Sequence, residues 1–260
     1  MTDVLDCRRF GEHGSHFREG GPRVALVHGW GWDGRLIEPV AQALGERCRV
    51  FQPDLPGYGM NRDRGCDSFE HCVEQLAATL PDVDVLVGWS LGGLLALAWA
   101  TRVPVRKVVL IAASPCFVQR PDWPDGMTME RFEAFAGAVD EQPQRARMRF
   151  AALSALGDDN PRAARGAMSS LIEQPPLPSS QALSQGLDWL REKDMREAMR
   201  TVSADLMCLH GEQDRVIEAG AARAAADACS ARWLCVPGAA HLPWLRGGLP
   251  ELCDWVTTDV

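Results

Sequence analysis

The sequence predicts an α/β fold in which a mostly parallel sheet, flanked by helices, carries an inserted helical cap. Three observations predict it. Short apolar runs alternate with amphipathic stretches over the first 114 residues. The alternation then stops, because residues 115–190 carry prolines, methionines and helical patterning but no strand. It resumes from about residue 205. Strands covered by helices on both faces read as continuous apolar runs, and these do. The core is therefore assigned to residues 1–114 and 191–260, and the cap to 115–190.

The elements follow in order. Residues 23–28 (RVALVH) form a strand, 36–44 a helix and 49–52 a strand. Residues 68–80 form a helix with Ser68 as its N-cap, since a serine hydroxyl accepts from the free N–H groups of a first turn. Then come a strand at 83–87, a helix at 91–100 and a strand at 107–112. Beyond the cap, strands at 205–209 and 232–236 alternate with helices at 219–229 and 249–255. Right-handed crossovers return the chain to one sheet, which puts the cap over the C-terminal strand edge, where open α/β sheets bind ligands.

Composition narrows the function. A length of 260 residues suits one domain with an insertion, and a net charge of -8 argues against nucleic acid as the main partner. The first twenty residues lack the apolar run of a signal peptide, and no stretch of about 18 apolar residues offers a membrane span. A cytoplasmic monomer without membrane association is expected. The nine cysteines are odd in number and lack C-x-x-C spacing, so they read as reduced thiols, and no metal or other cofactor is called for.

Chemistry concentrates in three loops. Gly88-Trp89-Ser90-Leu91-Gly92 stands between a strand and a helix, the context that makes G-x-S-x-G a nucleophile elbow. The alternative is a serine that merely caps the helix. A serine hydroxyl needs a histidine to take its proton, and the histidine needs an acid to fix its tautomer. Asp214 follows the strand ending at 209, and His241 follows the strand ending at 236, in the chain order this arrangement requires. His210 reads as a packed structural histidine, Glu212 as solvent-facing, and His13, His16 and His71 as surface residues. The oxyanion of an acyl-transfer intermediate needs two N–H donors. Leu91, after the nucleophile, and Trp30, in the loop VHGWGWDG, are the candidates. That loop lacks the glycine and lysine spacing of a nucleotide site. In FQPDLPGYGMNRD, Asp54 reads as a local acceptor for the turn's backbone.

With those residues in place, the chain resembles the α/β-hydrolases, and within them the pimeloyl-[acyl-carrier protein] methyl ester esterases of biotin synthesis. The resemblance rests on HGWGWDG, DLPGYG, GWSLGGL, ASPCF followed by Trp123-Pro124, HGEQDRV and AAHLPW, spread over most of the chain. It implies Ser90 as nucleophile, Asp214 as acid, His241 as base, and hydrolysis of the methyl ester of a pimeloyl chain borne by acyl-carrier protein. The chain departs from the pattern at Met60-Asn61, where relatives often have a basic residue and a serine.

Acyl-carrier proteins are acidic, so an acidic esterase needs a local basic surface to meet one. Arg145 and Arg149, four apart, and Arg162 and Arg165, three apart, would each share a helix face and form it, with Arg147 between the first pair. The competing reading is a solvated face balanced by Asp140, Glu141, Asp158 and Asp159. Phe117, Trp123, Phe132, Phe135, Phe150 and Leu153 are expected to cover the serine, with Trp30, Trp89 and Phe150 beside the acyl chain. A broad carboxylesterase acting on short- to medium-chain free esters, or a receptor with a vestigial triad, would use the same residues.

Overall fold

The computed structural model describes residues 4–11 and 21–258. His13, His16 and the side chain of Asp140 lie outside the described residues. In chain order the elements are β1 (Cys7–Phe10), β2 (Arg23–Val27), α1 (Glu38–Gly45), β3 (Arg49–Pro53), α2 (Phe69–Thr79), β4 (Val85–Trp89), α3 (Leu91–Ala100) and β5 (Lys107–Ile111). They continue as α4 (Met129–Glu141), α5 (Pro143–Ser154), α6 (Pro161–Ser169), α7 (Ser180–Glu192), α8 (Arg196–Thr201), β6 (Asp205–Gly211), α9 (Ala219–Ala228), β7 (Arg232–Val236) and α10 (Leu249–Thr257). Among the described residues no helix is long and apolar enough to cross a membrane.

The strands form one sheet in the order β1-β3-β2-β4-β5-β6-β7, parallel throughout except for the antiparallel β1–β3 pair. Chain direction across the sheet reverses between β2 and β4, and at such a switch point the loops leaving the two strands part to open a crevice. The loop after β2 carries Trp30 and the turn after β4 carries Ser90, so both enter that crevice. Every residue of β4, β5 and α3 is buried, in keeping with their unbroken apolar runs.

The predicted strands and helices are present within a residue or two at most ends. Ser68 does cap α2, accepting from the His71 N–H at 3.1 Å. The predicted helix at 36–44 begins instead as a 3-10 turn over Gly34–Ile37, with Asp33 accepting from Arg35 N–H. Strand β1 was not anticipated. Two of its four residues are arginines, and Arg8 is drawn inward only because Asp54, fully buried, accepts from its guanidinium at 2.8 Å. Asp54 also accepts from the N–H groups of Gly34 and Met60, so its role extends beyond the local turn expected of it.

Close packing between β4, α3 and β2 depends on two glycines. A Cβ on Gly88 would stand 2.2 Å from the carbonyl oxygen of Gly92, and one on Gly92 would stand 2.3 Å from that of Val27. Both neighbours are backbone atoms that cannot swing aside. Overpacking of this kind costs about 1–3 kcal/mol, and each kcal/mol moves the melting point of a chain this size by about 2–4 °C. Gly92→Ala should therefore lower the Tm by roughly 2–12 °C in thermal unfolding followed by circular dichroism; an unchanged Tm would mean the turn has slack.

Candidate active site

Ser90 adopts φ 54°, ψ -118°, a left-handed conformation that non-glycine residues rarely take and that clusters at functional sites. It occupies the N-cap position of α3, yet its side chain makes no capping hydrogen bond. The reading of Ser90 as an ordinary helix cap therefore does not hold. Its backbone is pinned instead: Ser90 N–H donates to Ile111 O at 3.0 Å, and Ser90 O accepts from Gly93 N–H at 2.9 Å.

His241 and Asp214 are brought together as their loops predicted. The His241 Nδ1–H donates to Asp214 Oδ2 at 2.8 Å, with both side chains fully buried. The other carboxylate oxygen accepts from the N–H groups of Val216 and Ile217 at 2.8 and 3.1 Å. Burial alone would raise the Asp214 pKa. The facing His241 imidazole and its hydrogen bond, His210 nearby and the Ile217 N–H outweigh it and hold the carboxyl below the usual range. With Nδ1 committed as donor, Nε2 is left as the acceptor of the ring, and this buried nitrogen has no hydrogen-bond partner among the described residues.

His210 also approaches Asp214, at 3.4 Å, but its Nε2–H donates to Ile217 O at 2.8 Å and its ring stacks on Trp233. Burial lowers its pKa, so it stays neutral at physiological pH. It is a packed structural histidine. Glu212 is exposed but also bonded, accepting from the Gly238 N–H at 3.2 Å. His71, expected at the surface, is half-buried; its Nδ1 accepts from the Asp67 N–H at 3.3 Å and stands 3.5 Å from the Asp67 carboxylate.

The loop after β2 is organised by His28. Leu55 N–H donates to His28 Nε2 at 2.9 Å, which leaves the proton on Nδ1 to bond Gly29 O, also at 2.9 Å. Burial keeps this ring neutral too. The backbone N–H groups of Trp30 and Leu91 donate to no protein acceptor among the described residues, as an oxyanion site requires. The Trp30 indole is fixed by donating to Leu183 O at 2.8 Å.

Ser90 opens onto a cavity of about 70 Å³. Its walls include Trp30 from the loop after β2, with Phe117, Phe132, Phe135, Phe150 and Leu187 from the segment between β5 and β6. Leu153 lines it as well, and among the described residues Arg131 is its one charged lining residue. Two expectations fail here. Trp89 does not line the cavity; its indole N–H donates to His241 O at 3.1 Å, and its ring packs on His241 and Trp244, so it braces the histidine loop. Trp123 lies elsewhere, donating to Cys116 O beneath the guanidinium of Arg196.

Arg145, Arg149, Arg162 and Arg165 are all exposed, the first two on α5 and the others on α6. Arg147 does not join them. It is buried, donating to Gly31 O at 2.7 Å and Ile172 O at 3.0 Å, with its guanidinium over the Trp32 ring. Burial depresses its pKa. Asp158, expected as a surface counter-charge, is buried as well, because it accepts from the backbone N–H of Ala240 at 3.0 Å. Sequence reasoning passed over Arg131 and the function of Arg147. Arg147, Phe150 and Ser154 recur at three- and four-residue spacing along α5, and that period was the available signal for a buried face.

A strained serine, a histidine–carboxylate pair and two free N–H groups at the switch point of a parallel sheet are the apparatus of acyl transfer. Residues 24–249 match the model of the alpha/beta hydrolase family, and the chain belongs to that family. More particularly, it is 35% identical to the pimeloyl-[acyl-carrier protein] methyl ester esterase of Nitrosomonas europaea, over 78% of this chain and 81% of that protein. It is 36% identical to the protein of the same name from Xanthomonas campestris pv. campestris strain B100, over 86% and 90%. In fold it is similar to an esterase from Exiguobacterium antarcticum, with a TM-score of 0.83 at 20% identity, covering 98% of this chain and 96% of that one.

Two substitutions test the site. Ser90→Ala should abolish ester hydrolysis while leaving the Tm and circular dichroism spectrum in place, and residual wild-type turnover would remove Ser90 from the chemistry. Asp214→Asn should lower kcat by roughly 10⁴, because an amide facing Nδ1 favours the wrong histidine tautomer. Steady-state kinetics on a chromogenic ester measures it.

Proposed function

We propose that this carboxylic ester hydrolase removes the methyl group from the pimeloyl methyl ester carried by acyl-carrier protein, releasing methanol and a free carboxylate for biotin synthesis. The observation that carries the reading is the buried His241–Asp214 pair together with a strained Ser90 that opens onto an apolar cavity, in a chain that shares about a third of its residues with esterases of that name. Residues 115–190 act as the lid of the site, and the reaction needs no cofactor.

His241 Nε2 takes the Ser90 hydroxyl proton as Oγ attacks the ester carbonyl carbon. The tetrahedral oxyanion accepts from the N–H groups of Trp30 and Leu91. Its collapse breaks the bond to the methoxy group, which leaves as methanol with the proton from His241. Water then gives a proton to His241 and attacks the acyl-enzyme; the returned proton restores Ser90 and frees the acid. The methylenes lie along Phe150 and its apolar neighbours, and the exposed Arg145, Arg149, Arg162 and Arg165 meet the acidic carrier.

The test compares kcat/KM for the carrier-bound methyl pimeloyl ester with that for free dimethyl pimelate, in wild type and in a variant with those four arginines changed to alanine. The carrier-bound ester should be preferred, and the variant should lose about tenfold or more on it alone, since rim charges act mainly on encounter. Equal values on both substrates, unmoved by the arginines, would leave a general esterase of free esters.

A further inference from the structure

The loop that carries His241 has little structure of its own, and its backbone is held from two sides. From the core, Gln213 N–H donates to Ala239 O at 2.8 Å, and the Trp89 indole donates to His241 O. From the other side, the end of α5 and the turn that follows it grip the loop at three points. His241 N–H donates to Ser154 O at 3.1 Å, Ala240 N–H to Asp158 Oδ2 at 3.0 Å, and Asp159 N–H to Gly238 O at 2.8 Å. Of the three partners from α5 and its turn, only Asp158 acts through a side chain.

We propose that Asp158 is a positioning residue for His241, setting the height and tilt at which the imidazole faces Ser90. The inference rests on the reading of Ser90, His241 and Asp214 as the catalytic triad. The Asp158 side chain is fully buried, and both its oxygens are used. Oδ1 accepts from Asn160 N–H at 2.8 Å and stands 3.5 Å from the Arg246 guanidinium, while Oδ2 reaches across to Ala240. A buried carboxylate is tolerated only where such partners replace water. The arrangement fixes the turn with one oxygen and the histidine loop with the other. Ala240 adjoins His241 in sequence, so a shift of its N–H moves the histidine backbone directly. The Nδ1–Asp214 bond at the far end of the ring would then act as a pivot, and Nε2 would swing away from Ser90.

Nothing in this geometry touches substrate, so the effect should fall on kcat and spare KM. Misplacement of a reacting group by about 1 Å can cost a hundredfold in rate. On free dimethyl pimelate, Asp158→Ala should lower kcat by about ten- to a hundredfold with KM within about twofold, and slow the labelling of Ser90 by a fluorophosphonate in proportion. Asp158→Asn, which keeps the volume and one acceptor, should lose less than Asp158→Ala but remain below wild type. The control is Asn160→Ala, which removes the side chain that caps α6 by accepting from Ala163 N–H and leaves the histidine loop alone. It should lower the Tm without lowering kcat.

A wild-type kcat in Asp158→Ala would overturn the proposal, as would equal losses of kcat in Asp158→Ala and Asn160→Ala. Should Asp158→Ala fail to fold, Asp158→Asn decides: reduced kcat at unchanged KM supports positioning, and a wild-type kcat overturns it. If wild-type Ser90 is not labelled at all, the triad reading falls and this proposal falls with it; full labelling with an unmoved kcat in the variants sinks the positioning role alone.

Discussion

The left-handed backbone at Ser90 is the constraint from which the rest of the site follows. A non-glycine residue held there costs about 1–3 kcal/mol and persists only where its surroundings overdetermine it. Here β4 and α3 are buried along their whole length, and the missing side chains of Gly88 and Gly92 let the helix close against β4 and the carbonyl end of β2. In a relaxed turn the hydroxyl would fold back to cap α3. In this one it stands clear of the helix, while the free N–H of Leu91 beside it carries the positive end of the helix dipole. Under the proposed function, nucleophile and anion site thus come from a single backbone distortion.

Helix α5 joins the two loops that complete the site. Arg147, Phe150 and Ser154 lie on one face of it. Arg147 donates to Gly31 O in the loop after β2, and Phe150 packs edge-on against both Trp30 and His241. Ser154 O accepts from the His241 N–H. A buried guanidinium is tolerable because two backbone carbonyls accept from it and the Trp32 face lies against it. The distance between the oxyanion loop and the histidine loop is therefore set by the length of one helix face, even though the two loops belong to different halves of the core. The opposite face carries Arg145 and Arg149 into solvent.

Most of the sheet and the three candidate side chains of the site were legible because they obey strong local rules. Buried parallel strands need continuous apolar runs, a nucleophile elbow needs small neighbours, and the acid and base must each follow a strand end. What escaped depends on partners distant in sequence. The strand Cys7–Phe10 has no apolar signal, since the acceptor that draws Arg8 inward sits at Asp54. Arg147 and Asp158 look like surface charges until the carbonyl of Gly31 and the N–H of Ala240 are seen beside them. Trp89 followed the same logic in reverse: adjacency to Ser90 suggested the cavity, but side chains alternate along a strand and its ring turns toward His241. Even the departure at Asn61 has a purpose visible only in three dimensions. Its amide donates to Asp54 O and Asp6 O and ties the start of the chain to this loop.

The same contrast between cavity and surface determines where substrate choice can reside. A wall of phenylalanine and leucine rewards each buried methylene with about 0.8 kcal/mol, roughly fourfold in affinity, so neighbouring chain lengths are poorly separated by the cavity alone. A single charge among the lining residues, Arg131, adds little shape to that preference. Under the proposed function, the exposed arginines of α5 and α6 act on a different property, the charge of whatever bears the acyl chain, and charge complementarity at a rim governs encounter more than hold. Under the proposed function, discrimination between carrier-bound and free esters should weaken as salt rises, while hydrolysis of free esters in the apolar cavity should not. Under that function, one face of α5 braces the reacting groups while the opposite face, with Arg145 and Arg149, serves selection.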